Sequence, residues 1–337
     1  MEDLMMMKKA ILSTVALGAL IALAPAVASA ATVLKIGFAT INDGQHKSAL
    51  WIEKEVEKRT GGSIDVQVYP AAQLGKIPRQ IEGVLLGTQE AFISPPGFFK
   101  GLNPAFAAPD APGLFDSFAH QTKTMNDPSV RSKFLGLGTA KGVTGLYIAA
   151  AGASALAMRE PVRTLNDVKG KKIRVLASPM EVSIMRQLGA AGTPMAYSEV
   201  LPAIQRRVLD GASSAITVMG PSKFYTAAKY ITPTHITYIP TAMWTNAKFL
   251  AKLSEKERGI LDQVGIELSP VANKWSEEDT KSWEKKWGEE GGTVVRLKEE
   301  ERLAAIAKLR PLEKIFLDDP KVAPMYKLIK SAAVKNR

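Results

Sequence analysis

Hydrophobic and polar positions in the first third of the chain predict a unit of alternating strands and helices. Residues 33–38 form an apolar run typical of a strand, and residues 64–69 alternate apolar with polar side chains, as a second strand does. Apolar residues at helical spacing predict helices over 48–60 and 78–87, and residues 91–94 are predicted to form a short buried strand. This βαβαβ order favours a parallel sheet with helices on both faces.

A second unit of the same kind follows it. Ser198 is predicted to cap a helix whose apolar face holds Leu201, Ile204 and Val208. The other predicted elements are strands over 146–150, 172–176 and 212–218 and a helix over 180–188.

The last third of the chain is predicted to be helical. An apolar stripe predicts a long helix from 254 to about 289, which Pro270 can kink, and Leu303, Ile306 and Leu309 mark a further helix. Two α/β lobes bridged by long helices predict a cleft between the lobes, and small molecules commonly bind in such clefts.

The N-terminus has the three parts of a secretory signal peptide. Two lysines at 8–9 precede an apolar run over 10–27, and small residues at 28–30 follow it. A transmembrane anchor is the alternative, but Pro25 interrupts the run and small residues close it. We therefore expect export to the periplasm, with the signal peptide (residues 1–30) cleaved near Ala30.

Composition narrows the kinds of function. The chain has no cysteine, which excludes disulfides, thiolate metal sites and cysteine nucleophiles. Its formal net charge is +11, but basic and acidic residues are interspersed, as on a solvated surface. Together with export, this pattern argues against a nucleic-acid partner and leaves a mild attraction for anions.

No arrangement of residues indicates catalysis, a cofactor or a metal ion. The three histidines, His46, His120 and His235, are far apart in sequence and lack a metal-ligating partner at short spacing. The chain also lacks the P-loop, G-x-S-x-G and G-x-G-x-x-G motifs. Paired carboxylates fall on polar helix faces, where solvation explains them. A secreted α/β enzyme that uses scattered acidic residues stays open as an alternative.

Six short motifs resemble one protein family in their order and spacing. In these motifs the chain is similar to the DctP family, the extracytoplasmic solute receptors of TRAP (tripartite ATP-independent) transporters. The resemblance implies a two-lobed type II periplasmic-binding-protein fold that closes on a small organic carboxylate and delivers it to the membrane permease subunits. A ligand-sensing subunit of a signalling receptor shares this fold and is a second alternative. The motifs are KKIRV at 171–175, GA at 189–190, TPM at 193–195, YSE at 197–199, VLDG at 208–211 and YPAAQLG at 69–75.

The resemblance also implies a set of ligand-binding residues. Arg174 occupies the position whose arginine grips the ligand carboxylate, and a guanidinium fits a carboxylate bidentately, although the residues alone would equally allow a surface arginine. Tyr197 falls where relatives place an aromatic ring against the ligand, with core packing at the lobe edge as its alternative. The other predicted contacts are Ser154, Ser213, Ser214, His46, Phe98 and Trp244, where a helix-start role for His46 and plain packing for Phe98 or Trp244 stay open.

Three departures from the family pattern bear on the ligand. Ser154 stands where sialic-acid-binding relatives have a second arginine, and Pro95 stands where a ligand-binding glutamate is expected. Ser213 and Ser214 replace the asparagine or the Glu-Trp pair of two known branches, which removes the metal-bridging glutamate. We hypothesise a less polar pocket for a carboxylate with an apolar body, such as an aromatic or branched acid.

The same resemblance implies the lobe boundaries and the hinge. The predicted segments are residues 31–151 and 240–279 for lobe I, residues 152–239 and 280–337 for lobe II, and crossings at 150–153 and 239–244 for the hinge.

Overall fold

One mixed sheet of nine strands runs through residues 31–337, the part of the chain that this computed structural model describes. The predicted signal peptide lies outside these residues. Within them, no helix is both long enough and apolar enough to cross a membrane. The strands are β1 (Thr32–Gly37), β2 (Ile64–Tyr69), β3 (Ala91–Ser94), β4 (Val143–Met158), β5 (Lys172–Val175), β6 (Ala191–Pro194), β7 (Gly211–Ala215), β8 (Tyr230–Asn246) and β9 (Thr293–Val294).

Helices cover both faces of this sheet. The α-helices are α1 (Gly44–Thr60), α2 (Ile77–Leu86), α3 (Phe118–Met125), α4 (Pro128–Leu135), α5 (Pro179–Gln187), α6 (Tyr197–Gln205), α7 (Ile216–Met219), α8 (Ala247–Lys252), α9 (Glu255–Glu289), α10 (Glu299–Leu309), α11 (Lys314–Leu317) and α12 (Ala323–Lys335). The strands are ordered β2-β1-β3-β8-β4-β7-β5-β6, and β9 pairs with β8.

The first parallel unit is confirmed at one end of the sheet. Strand β1 lies between β2 and β3 and is parallel to both. Asp43 caps helix α1, because its carboxylate accepts the backbone N–H groups of Gln45 and His46 at 3.1 Å each. This cap fixes the loop at the carboxyl end of β1, which is the edge where parallel sheets bind ligands.

The second parallel unit is confirmed at the other end, with two differences. The strand predicted over 212–218 ends at Ala215, and Ile216–Met219 form helix α7. Strand β5 is parallel to both β6 and β7. Helix α6 begins at Tyr197, and Ser198 does not cap it. The helix also ends before Val208, because Arg207 adopts a left-handed backbone conformation (φ 62°), and Val208 is 55% exposed. The predicted apolar face therefore stops at Ile204.

The two central strands were largely missed from the sequence, because β4 was predicted only over 146–150 and β8 was not predicted at all. Strands β4 and β8 have 16 and 17 residues, and they are antiparallel neighbours. Each takes part in both halves of the sheet, so the two lobes share one continuous sheet. The pairing of β4 with β8 shifts register at three places between Gly145 and Ala155. Such irregularities locally bend a strand.

The long C-terminal helix is confirmed as α9, which has 35 residues. Ser254 and Glu257 form a capping box at its start, and Pro270 lies inside it without ending it. The hydroxyl of Ser276 donates to the carbonyl oxygen of Ala150 at 2.6 Å. This bond ties α9 to β4 at the middle of the sheet.

The last helix, α12, packs on elements of lobe I. It contacts the 3₁₀ segment Pro104–Asp110 and helices α3 and α4. A ring nitrogen of His120 lies 2.8 Å from the carbonyl oxygen of Ala333. Helix α12, which the sequence assigned to lobe II, therefore packs against elements that it assigned to lobe I, and the buried face of α12 completes the core beneath them.

Candidate functional site

A cavity that opens to solvent lies between the two halves of the sheet, and its empty volume, with some open solvent included, is about 490 Å³. The structure brings four of the eight predicted site residues together at its wall: Arg174, Tyr197, Ser214 and Phe98. The remaining lining residues are Ala39, Thr40, Gln45, Ile77, Phe92, Ile93, Ser94, Pro95, Ala151, Leu176, Ala215, Val218 and Ile239. Both halves of the sheet thus contribute side chains to one partly open cavity.

Arg174, on β5, is the one charged side chain among the described residues that line this cavity. It is only 2% exposed. Its Nε donates to the carbonyl oxygen of Met195 at 3.3 Å, and one Nη donates to that of Ser213 at 3.5 Å. Both bonds are long. A guanidinium has five N–H groups, so three are left without a partner among residues 31–337.

The charge of Arg174 is poorly compensated. Burial lowers the pKa of its guanidinium to about 10, while Tyr197 and Glu181 act in the opposite direction. The group is therefore still a cation at neutral pH. It forms no salt bridge with a carboxylate in the described part of the chain, and Glu181 acts on it only through space. An anion in the cavity would supply the missing partner.

Tyr197 offers its ring to the site, not its hydroxyl. The centre of the Arg174 guanidinium lies 5.8 Å from the centroid of the Tyr197 ring. The ring stacks on Phe224 at 5.7 Å. The Tyr197 hydroxyl donates to the carbonyl oxygen of Val218 at 3.0 Å and pairs with the hydroxyl of Ser222 at 2.9 Å. These contacts hold the aromatic face beside Arg174.

Apolar side chains form most of the cavity wall. Phe98 and Pro95 come from the loop after β3, and both are partly exposed to the cavity. Leu176 follows β5 directly, and Ile239 lies on β8. The site therefore combines one cationic end with apolar walls.

Ser213 and Ser154 lie in a second, smaller cavity. Neighbouring residues of a strand point to opposite faces, so Ser214 lines the main cavity while Ser213 lines the second one beside Glu181. The Ser154 hydroxyl accepts the backbone N–H groups of Ile236 and Thr237 at 3.1 Å each. These two residues follow His235, a non-glycine residue with a φ of 47°, and Ser154 stabilises this irregular segment of β8.

His46 and Trp244 do not line either cavity. His46 is in the first turn of α1, and its Nδ1 accepts the backbone N–H of Asn42 at 3.1 Å. The Trp244 side chain is fully buried, with its ring 4.9 Å from that of Phe106 and 5.3 Å from that of Phe99. His46 therefore lies at a helix start and Trp244 in the core, as their alternative interpretations describe.

Two carboxylates were not predicted as site residues: Glu181, which is buried, and Asp110, which is half-buried. Burial and, to a lesser extent, the neighbouring Asp110 raise the pKa of Glu181 to about 7, against the lowering effects of Arg174 and Ser213. Burial also raises the pKa of Asp110 to about 7. Glu181 shares a helix face with Met185 and Leu188, at i+4 and i+7, and all three line the second cavity. This spacing was a signal in the sequence that Glu181 faces inward.

Several residues of the main cavity were also missed. Thr40 follows β1 and Leu176 follows β5, so both lie at carboxyl ends of parallel strands, the edge at which this sheet type binds ligands. That rule would have found them. Ile77, in the first turn of α2, carried no comparable signal. No group of three or more metal-ligating side chains occurs within residues 31–337.

The chain is similar to known solute-binding proteins over most of its length. The family model described as DctP, bacterial extracellular solute-binding protein family 7, matches residues 37–319. The 2,3-diketo-L-gulonate-binding periplasmic protein of Escherichia coli is 33% identical over 223 residues, 65% of this chain and 68% of that protein. The C4-dicarboxylate-binding periplasmic protein of Rhodobacter capsulatus is 29% identical over 268 residues, 79% of this chain and 80% of that protein.

A solved structure supports the fold independently. The TRAP periplasmic solute-binding protein from Desulfovibrio salexigens, determined with bound orotic acid, has a TM-score of 0.86 and 22% sequence identity. The match covers 91% of this chain and 100% of that one. This similarity confirms the predicted two-lobed α/β fold.

Proposed function

Since the chain belongs to the DctP family of bacterial extracellular solute-binding proteins, we propose that it is the periplasmic receptor of a TRAP transporter. In this role it binds a small organic carboxylate through Arg174 and delivers it to a membrane permease. Members of the family are solute-binding proteins and not enzymes, so the enzyme alternative falls away. The two relatives described above are named for the organic acids that they bind, which supports an organic acid as the ligand of this protein.

The observation that carries this proposal is the unpaired charge of Arg174. Its guanidinium is buried at the wall of the cavity between the lobes, with three N–H groups unused by residues 31–337. An unpaired buried charge is costly, and a bidentate carboxylate offsets that cost. Tyr197 and Ser214 lie beside it as further ligand contacts.

Ligand binding is coupled in this proposal to closure of the lobes. The predicted hinge at 150–153 and 239–244 coincides with register irregularities of β4 and β8. Lys76, before α2, and Glu199, on α6, form an ion pair of 2.6 Å between the two lobes. A ligand that contacts both lobes stabilises the closed state and thereby shifts the population towards it. We keep the predicted lobe boundaries, except that α12 moves to lobe I.

Localisation and delivery complete the proposal. The signal peptide over residues 1–30 would direct the chain to the periplasm, where the two named relatives reside. The closed receptor then presents a joint surface of both lobes to the permease. We expect cells that lack this protein but keep the permease to lose uptake of the ligand.

The experiment combines ligand identification with one substitution. Protein isolated from the periplasm without refolding is denatured, and the released small molecules are analysed by mass spectrometry. Thermal unfolding is then measured with each released acid for the wild type, for Arg174→Met and for Arg206→Met, which removes an exposed arginine of the same lobe as a control. A bound ligand stabilises by RT ln(1 + [L]/Kd), about 2.7 kcal/mol at 100 Kd.

We expect the stabilisation in the wild type and in Arg206→Met and its near-complete loss in Arg174→Met. Equal stabilisation of all three proteins by the released acid would contradict the proposed role of Arg174.

A further inference from the structure

The charges around the cavity limit the number of carboxylates that it can hold. Arg174 is the one cationic side chain that lines it among residues 31–337, and it lies at the lobe II end. A second carboxylate on the ligand would be desolvated against the opposite wall without a cation to pair with. Burial of an unpaired charge is strongly unfavourable, so the cavity disfavours dicarboxylates.

The apolar walls of the cavity likewise limit the number of hydroxyl groups that a ligand can carry. Phe98 and Pro95 face the cavity from lobe I, and Leu176, Val218 and Ile239 face it from the other side. None of these side chains can donate or accept a hydrogen bond. A polyhydroxylated sugar acid would bury several hydroxyl groups against them without partners, which costs affinity at each group.

A small polar region remains at the lobe I end. Thr40, Gln45 and Ser94 line the cavity there, and the buried Thr40 hydroxyl lies near the carboxylate of Asp43. The three lining side chains are neutral. They can therefore bind one neutral polar substituent, such as a hydroxyl, keto or amide group, but cannot balance a second charge.

From this distribution we propose that the cavity selects monocarboxylates with one apolar body, a ring or a branched alkyl group, carrying at most one neutral polar substituent at the end opposite the carboxylate. This inference rests on the proposed carboxylate-binding function and specifies its ligand class. In the complex, the carboxylate lies on Arg174 beside the Tyr197 ring, and the apolar body lies between Phe98 and Leu176.

The test is isothermal titration calorimetry of the full mature protein with a defined panel. The apolar monocarboxylates are benzoate, 4-hydroxybenzoate, cyclohexanecarboxylate and 3-methylbutanoate. The comparison acids are succinate, D-galactonate and D-glucuronate, and acetate is added as a monocarboxylate without an apolar body. Each titration is run with the wild type, with Arg174→Met and with Phe98→Ala, and circular dichroism verifies that both variants are folded.

We expect at least one apolar monocarboxylate to bind at least tenfold more tightly than every comparison acid. Phe98→Ala should weaken that acid at least fivefold and should change acetate binding less than twofold. Succinate or a sugar acid that binds most tightly, with loss of its binding in Arg174→Met, would overturn this ligand class and leave the proposed function intact. Acid binding that is unchanged in Arg174→Met, or no binding of any acid, would overturn the proposed function itself.

Discussion

Glu181 gives the protein a pH-dependent stability whose sign and size follow from its surroundings. It is 5% exposed, and burial raises the pKa of its carboxyl group from its ordinary value of 4.5 to about 7. Because the pKa in the folded protein is the higher one, the folded state binds an extra proton between these values. The stabilisation is therefore complete below about pH 4.5 and is lost as the pH rises through 7.

The substitution Glu181→Gln keeps the size of the side chain and removes its ionisation. A rise of the pKa from 4.5 to about 7 corresponds to about 3 kcal/mol when the group is fully ionised. Most of this change in stability falls between pH 5 and pH 8. The free energy of unfolding of the variant, relative to that of the wild type, should thus be about 2.5 kcal/mol larger at pH 8 than at pH 5, which means that the variant is relatively more stable at pH 8.

Urea unfolding at pH 5, 6, 7 and 8, without added ligand, measures this difference. Glu278→Gln on the exposed face of α9 is the matched control, and its difference from the wild type should stay within about 0.5 kcal/mol throughout. A Glu181→Gln difference that is constant from pH 5 to pH 8 would refute the reasoning, because it would mean that Glu181 is ionised in the folded state over the whole range.

Three other substitutions test the cavity and its frame. Ser214→Trp should fill the cavity beside Arg174 and abolish ligand binding in calorimetry, whereas Ser214→Ala should change Kd by less than about threefold. Arg174→Lys should retain folding but weaken binding by at least about tenfold, because an ammonium group cannot form the bidentate contact; unchanged affinity would contradict that geometry. Gly152→Ala should destabilise by about 1–3 kcal/mol in urea unfolding, since a Cβ there would lie 2.4 Å from the Cβ of Ala215. Gly259→Ala, on α9 with no atom within 4 Å of an added Cβ, should instead stabilise by up to about 1 kcal/mol, and a similar loss at both glycines would refute the crowding at Gly152.

The parallel units at both ends of the sheet could be predicted because their strands are short and are separated by regular helices. The central strands could not. Strand β4 is buried at nearly every position, and β8 is buried over most of its length, so neither shows the alternation that reveals a half-exposed strand. The single continuous sheet is a consequence of these two strands, and its pairing is set by tertiary contacts.

Site residues could be predicted where a family motif fixes their position in the sequence. The prediction was weaker where the resemblance indicated only the segment in which a contact lies. Arg174 and Tyr197 fall on the motif, and both line the cavity. The sequence could not decide whether Ser213 or Ser214 faces the ligand. Both are small and buried, so no apolar–polar alternation along this strand indicates which residues point towards the cavity. Trp244 could be placed on a core or a cleft wall only once its partners were known.

A high-resolution crystal structure of the natively purified protein with its bound solute tests the central claim most directly. We predict density for a carboxylate with both oxygens about 2.7–3.0 Å from Arg174 nitrogens and the rest of the solute against Phe98 and Leu176. A solute in this cavity whose carboxylate lies away from Arg174, or one without a carboxylate, would contradict the claim.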